Sequence, residues 1–246
     1  MAAKDKFAKV KNIAARYTVA TFGLAFVAIG IAFAVLSNLG VSALNGVQYA
    51  FANKFPRFSF GDFNFGIFSL FIFVQLAVLR KKFKVVDLLQ LVANFLLGYM
   101  VDNFSWSLEW LLNHIAYITP DGTASYTVMS AVGSSWGLRF LLLACSCFFT
   151  AFGVSLEVSA KAWMLPAEMT VNAFTTAFGG KFSTNKVIMD SSLLVISVIL
   201  CLIFFGNMLG PEGRYIIGWG TLISAVAIGF IMRLTDPLVS KFIHFD

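Results

Sequence analysis

Six apolar runs, each long enough to cross a hydrocarbon layer, dictate what this chain can fold into. A bilayer span takes about 17 to 25 predominantly apolar residues. The candidates are Tyr17 to Leu39, Phe63 to Leu79, Val85 to Val101, Gly137 to Glu157, Val187 to Phe205 and Tyr215 to Met232. Inside lipid no water meets the backbone, so such runs close their hydrogen bonds internally as helices. The expected fold class is all-α integral membrane, with about six transmembrane helices.

Charge distribution supports this. Only 12% of residues are charged, against about 25% in soluble domains. The net charge of +6 is no sign of nucleic acid, because the basic residues fall at the ends of the apolar runs. With the N-terminus inside, the inner segments collect Lys4, Lys6, Lys9, Lys11, Arg16, Arg80, Lys81, Lys82, Lys84, Lys161, Lys181, Lys186, Arg233 and Lys241. Only Lys54, Arg57, Arg139 and Arg214 remain outside. A bias of 14 to 4 predicts that both termini face the cytoplasm. The basic N-terminus resembles a signal peptide, but its apolar run exceeds the usual h-region of about 7 to 15 residues and reads as the first span.

Three connections ask for a finer reading. Val41 to Phe55 and Leu165 to Phe178 are too short or polar to span and too apolar for loops, so each is expected to be a short amphipathic or re-entrant helix. Phe104 to Ile118, with Trp106, Trp110 and Tyr117, reads as an interfacial helix on the outer face. Thr119 to Ser135 reads as an exposed linker.

That linker separates two similar halves. Setting Arg16–Phe55 on Arg139–Phe178, an offset of 123, matches Arg16/Arg139, Phe26/Phe149, Ala28/Ala151, Gly30/Gly153, Val35/Val158, Ala50/Ala173, Phe51/Phe174 and Phe55/Phe178. These eight identities in forty pairs compare with about three by chance. Three spans per half, an odd number, predicts two inverted three-helix repeats, an arrangement common in secondary transporters. The expected organisation is a basic tail (1–16), a first repeat (17–101), the interfacial helix and linker (102–136), a second repeat (137–233) and a cytoplasmic tail (234–246).

Cys145, Cys147 and Cys201 lie inside apolar runs and read as small buried hydrophobes. His114 and His244 have no ligand spacing. No Gly-rich phosphate loop and no Cys/His pairing occurs, so no enzyme, cofactor or resident metal is expected.

The candidate site is the charged stretch from Glu157 through Glu168 to Lys186 and Asp190. Lys186 and Asp190, four apart, share a helical face and can pair; Asp190 is either half of an interfacial ion pair or a cation contact in a wet cavity. Glu168, two residues after Pro166, either caps a helix start or faces that cavity. Glu157 precedes Lys161 by four and either bridges to it or serves as a buried proton carrier. At the offset of 123, Glu168 falls on Asn45 and Glu157 on Ala34, so these acids belong to one half only. Asn45, Gln48, Asp62 and Asn64 offer polar groups from the first half, with Asp62 equally suited to a helix start. Gln75, Gln90 and Asn94 read chiefly as glue between helices.

A family pattern accompanies these residues. Leu44-Asn-Gly-Val-Gln-Tyr49, Phe58-Ser-Phe-Gly-Asp-Phe-Asn-Phe65, Gln75, Leu79-Arg-Lys-Lys-Phe83, Leu89-Gln-Leu91 and Gly98-Tyr-Met-Val-Asp102 resemble the YczE/YitT-like bacterial multi-pass membrane proteins. The second half is similar through Met164-Leu-Pro-Ala-Glu168, Ala173-Phe174, Lys186-Val-Ile-Met-Asp190 and Gly229. The chain departs from that pattern at Ala43 or Leu44, where many such proteins carry Pro. The resemblance implies a bacterial plasma-membrane protein and a transport role, and identifies no substrate. The leading expectation is a secondary transporter or permease for a small polar or charged solute, with Glu157, Glu168, Lys186, Asp190, Asn45 and Asp62 as contacts. Its partners would be that solute and membrane lipid, with a homo-oligomer left open. The alternative is a non-transporting scaffold or accessory subunit.

Overall fold

The structure, a computed structural model, describes residues 2–118, 125–160, 162–163 and 165–242. Its helices are α1 (Ala2–Ser37), α2 (Ala43–Lys54), α3 (Phe60–Leu79), α4 (Leu89–His114), α5 (Val128–Ser134), α6 (Trp136–Ala160), α7 (Pro166–Phe178), α8 (Phe182–Phe205) and α9 (Trp219–Phe242). A short antiparallel ribbon, β1 (Ala116–Ile118) and β2 (Ser125–Thr127), joins α4 to α5. The segments Asn12–Ser37, Phe60–Lys82, Val85–His114, Trp136–Ala160, Thr184–Phe205 and Trp219–Lys241 are long and apolar enough to span. The protein is a multi-pass membrane protein.

The centre is an antiparallel crossing of α1 and α6. Tyr17 meets Trp163 edge-on at 5.1 Å, Phe26 stacks on Phe149 at 5.9 Å, and Leu36 packs with Leu142. Glycine makes the approach possible: a Cβ at Gly30 would lie 2.7 Å from the Thr150 nitrogen, and one at Gly153 would lie 2.7 Å from the Val27 nitrogen. Helices in lipid gain little from hydrophobic sorting, so close backbone packing over small residues is what holds such a pair. Accordingly 56% of the first span's window and 50% of α6's are buried, against 17% for α8 and for α9.

The other elements lean on this pair. Leu24, Val27, Ala28 and Ile31 of α1 form a dry core with Ala93, Leu97 and Val101 of α4. Leu143 and Cys147 of α6 pack with Ala227, Ile228 and Ile231 of α9. The short helices cross over: α2 lies on α3 and α8, and α7 on α8 and α3. In α2 every residue from Asn45 to Ala50 is buried, so protein encloses it.

Several ends differ from the sequence reading. No boundary falls after Val101; α4 continues to His114, so the expected interfacial helix from Phe104 is its last turns. Leu108, Glu109, Leu111 and Leu112 favour continuing the helix, while Trp106 and Trp110 stay exposed, where an aromatic belt places them. At the start, α1 runs back to Ala2 through the basic tail, whose Ala and Lys are strong helix formers. At the end, α9 passes Met232 to Phe242 with Pro237 inside it. The linker is partly ordered, with Thr127 accepting from Ser130 N (3.2 Å) to cap α5; residues 119–124 lie outside the described ones.

Candidate functional site

The end of α6 and the start of α7 bring two acids to one cavity. Glu157 stands in the last turn of α6, and α1 makes room for it with Gly23, where a Cβ would come 2.9 Å from the Glu157 Cγ. The residue is 7% exposed, and its Oε1 has no hydrogen-bond partner among the described residues. A carboxyl oxygen buried without a donor costs on the order of 1–3 kcal/mol.

Eleven residues on, Glu168 occupies the third position of α7, which opens with extended Leu165 and Pro166 at its first position. There the helix dipole favours a carboxylate. Its Oε1 lies 3.4 Å from Lys186 Nζ, while Oε2 is buried and unpartnered. Lys186 also pairs with Asp190 Oδ1 at 3.1 Å, one turn along α8.

The cavity measures about 380 Å³, within the size range of small-molecule sites. It sits where α4 begins and α6 ends, at the same end of the bundle as the Arg80–Lys82 turn. Val86, Leu89, Val154, Val158, Leu165 and Met169 wall it, and Asp87, Gln90, Glu157, Trp163 and Glu168 supply its polar groups. Among the described residues no Lys, Arg or His lines it. The Trp163 Nε1 is a buried donor with no acceptor. The seam between α1 and α4 is filled by an apolar core.

An amide cluster ties its floor together. Gln75 of α3 and Gln90 of α4 exchange bonds of 3.0 and 2.8 Å, and Gln75 Nε2 also donates to the Pro166 carbonyl (3.0 Å). Thr170 Oγ1 donates to that carbonyl at 2.7 Å. A tight knot of neutral groups thus holds the first turn of α7 against α3 and α4.

The structure gathers only part of the expected set. Glu157 and Glu168 line the cavity, and Lys186 and Asp190 reach it through Glu168 without lining it. Asn45 lies elsewhere, buried on α2 beside Gly46, which faces Ser197 of α8. Asp62 caps α3: Ser59 Oγ accepts from Asp62 N (3.0 Å), and Asp62 Oδ2 accepts from Ser59 N (2.9 Å). The pairing of Glu157 with Lys161 falls on a residue outside the described ones. Asp87 and Trp163 were not singled out from the sequence. Trp163 carried a readable signal, an aromatic set between two acids in a connection too short to form a domain. The string Gly133-Ser-Ser-Trp-Gly137 matches a nucleophile motif, but it joins α5 to α6 and lacks the strand-to-helix elbow that motif requires.

Fold and site together define a six-span membrane protein with an acid-lined cavity where its first and second halves meet. A family model matches residues 14–237, and the chain belongs to that family, described as a family of unknown function, DUF6198. No curated protein and no solved structure matches the chain.

Proposed function

We propose that the protein is a secondary transporter or permease that takes a small solute into the cavity between α4, α6 and α7. One observation carries the reading: a 380 Å³ space between the halves holds a buried carboxyl, Glu157, with an unpartnered oxygen. A protein without a solute has little reason to keep such a group there, because a packed apolar residue would stabilise it more.

The proposal includes two inverted repeats with both termini in the cytoplasm. Its support is reciprocity at the offset of 123. Gly30 abuts Thr150 as Gly153 abuts Val27, and Phe26 stacks on its own counterpart Phe149. Phe51 stacks on Phe55 as Phe174 stacks on Phe178. The crossing of α2 to α8 answers that of α7 to α3. Transporters of this design place solute sites at the repeat interface and move one part against the other. The resemblance to YczE/YitT-like proteins points the same way.

The test is uptake. Vesicles containing the purified protein should accumulate some member of a mixed pool of small metabolites, read by mass spectrometry against empty vesicles. Glu157→Gln with Glu168→Gln should abolish that uptake in a protein that still folds. No accumulation from any pool would remove the transport reading and favour a membrane scaffold.

A further inference from the structure

We infer that the cavity recognises a small organic cation, an ammonium or guanidinium group on a short apolar body that also bears a hydrogen-bond acceptor. This deepens the transport reading and rests on it for the cavity being the solute's site. Three features of the wall specify the ligand, each independently.

Charge comes first. Glu157, Glu168 and Asp87 all line the space, no described Lys, Arg or His does, and Lys186 sits outside it between Glu168 and Asp190. Glu157 is 7% exposed, lines the cavity, and its buried Oε1 has no hydrogen-bond partner among the described residues. A donor that carries positive charge satisfies both that oxygen and the local field.

Size comes next. At about 30 Å³ per water, the space would hold roughly a dozen, far more than a bare metal ion or proton requires. The walls between the acids are Val154, Val158, Leu165 and Met169, which no hydrated ion would need. They suit a few methylene groups.

The third feature is Trp163. Its Nε1–H is buried and has no acceptor, and tryptophan N–H groups normally find one. An acceptor on the ligand, such as a hydroxyl or a carbonyl, completes it.

The experiment uses the purified full chain in detergent with three probes of one shape: butylammonium, butanol and butyrate. Butylammonium well above its dissociation constant should raise the apparent melting temperature by about 2–4 °C, and the other two should not. Glu157→Gln should abolish the shift. Trp163→Phe should leave the butylammonium shift intact and weaken 4-aminobutanol, which adds an acceptor, by about tenfold.

An equal shift from butanol, or a shift from butyrate alone, overturns the inference. So does undiminished butylammonium binding in Glu157→Gln; if that variant fails to fold, the comparison of the three probes on the unaltered protein decides by itself. Binding that emerges only in Lys161→Gln also overturns it, because Lys161 would then already fill the cation's place. Butylammonium binding without uptake of any amine into vesicles would sustain this site and remove transport. Uptake of an anion or a neutral solute without amine binding would do the reverse.

Discussion

The α3/α4 and α8/α9 pairs occupy corresponding places in the chain, yet they are held in different ways. Between α3 and α4 polar groups close the interface at three levels: Gly61 N donates to Asp102 Oδ1 (3.0 Å), Asn64 to Asn94 (3.1 Å), and Gln75 and Gln90 to each other. Gly98 lets the two backbones meet, since a Cβ there would lie 2.8 Å from the Gly61 carbonyl oxygen. Among the described residues no such seam joins α8 to α9; α8 packs on α2 and α7, and α9 on α6. At the offset of 123, Val187 and Val198 stand where α3 has Asn64 and Gln75.

The difference teaches where motion can occur. Interhelical hydrogen bonds in lipid contribute a modest ~0.6 to 2 kcal/mol each, but four of them at three levels, with a glycine contact, tie α3 and α4 together. The helices α8 and α9 answer to separate neighbours, so they are the pair expected to shift independently. The charged residues Lys186 and Asp190 ride on α8, while the neutral amides lie on the locked pair. In a rocking transporter the charges would move and the amides would stay.

The largest disruption should come from the crossing that both pairs lean on. Gly30→Val places methyl groups against the Thr150 backbone, and is expected to cost about 3 kcal/mol or more, read as a lower midpoint of unfolding. Next, Gln75→Leu leaves Gln90 without its partner and should cost about 1–3 kcal/mol. Val198→Leu at the corresponding place should stay within about 0.5 kcal/mol, and a large loss there would end the comparison. Lys186→Met should change stability by about 1 kcal/mol or less, and by less still in high salt, because the pair is partly exposed. The finest test is of spread alone. Spin labels across α8 and α9 should give a broader distance distribution than labels across α3 and α4, and equal widths would contradict independent movement.

The six spans were legible because length and apolarity decide them. Their ends were less so: α1 outruns the hydrocarbon on the Ala and Lys of its basic tail, and α4 on a mixed run in which Leu108, Glu109, Leu111 and Leu112 are the strong helix formers, which hydropathy does not register. Gln75, Gln90 and Asn94 were readable as glue, since amides inside a span must find partners, and each has one. What could not be read was which acids meet. Glu157 and Glu168 share a cavity only because α7 folds back over α3. Nothing local encodes that angle. Asp62 shows the converse, for the Ser59-x-x-Asp62 spacing already described the cap it makes.

The seat of Glu157 has a mechanical consequence. Its stem rests against the bare backbone at Gly23, a vacancy one residue wide on the facing helix. Were the two central helices to slide by one turn, about 5.4 Å, Val19 or Val27 would arrive at that spot and the carboxyl would be pushed off it. The acid's reach is therefore geared to helix register, and a sliding movement begun anywhere along the crossing would present or withdraw the carboxyl like a latch.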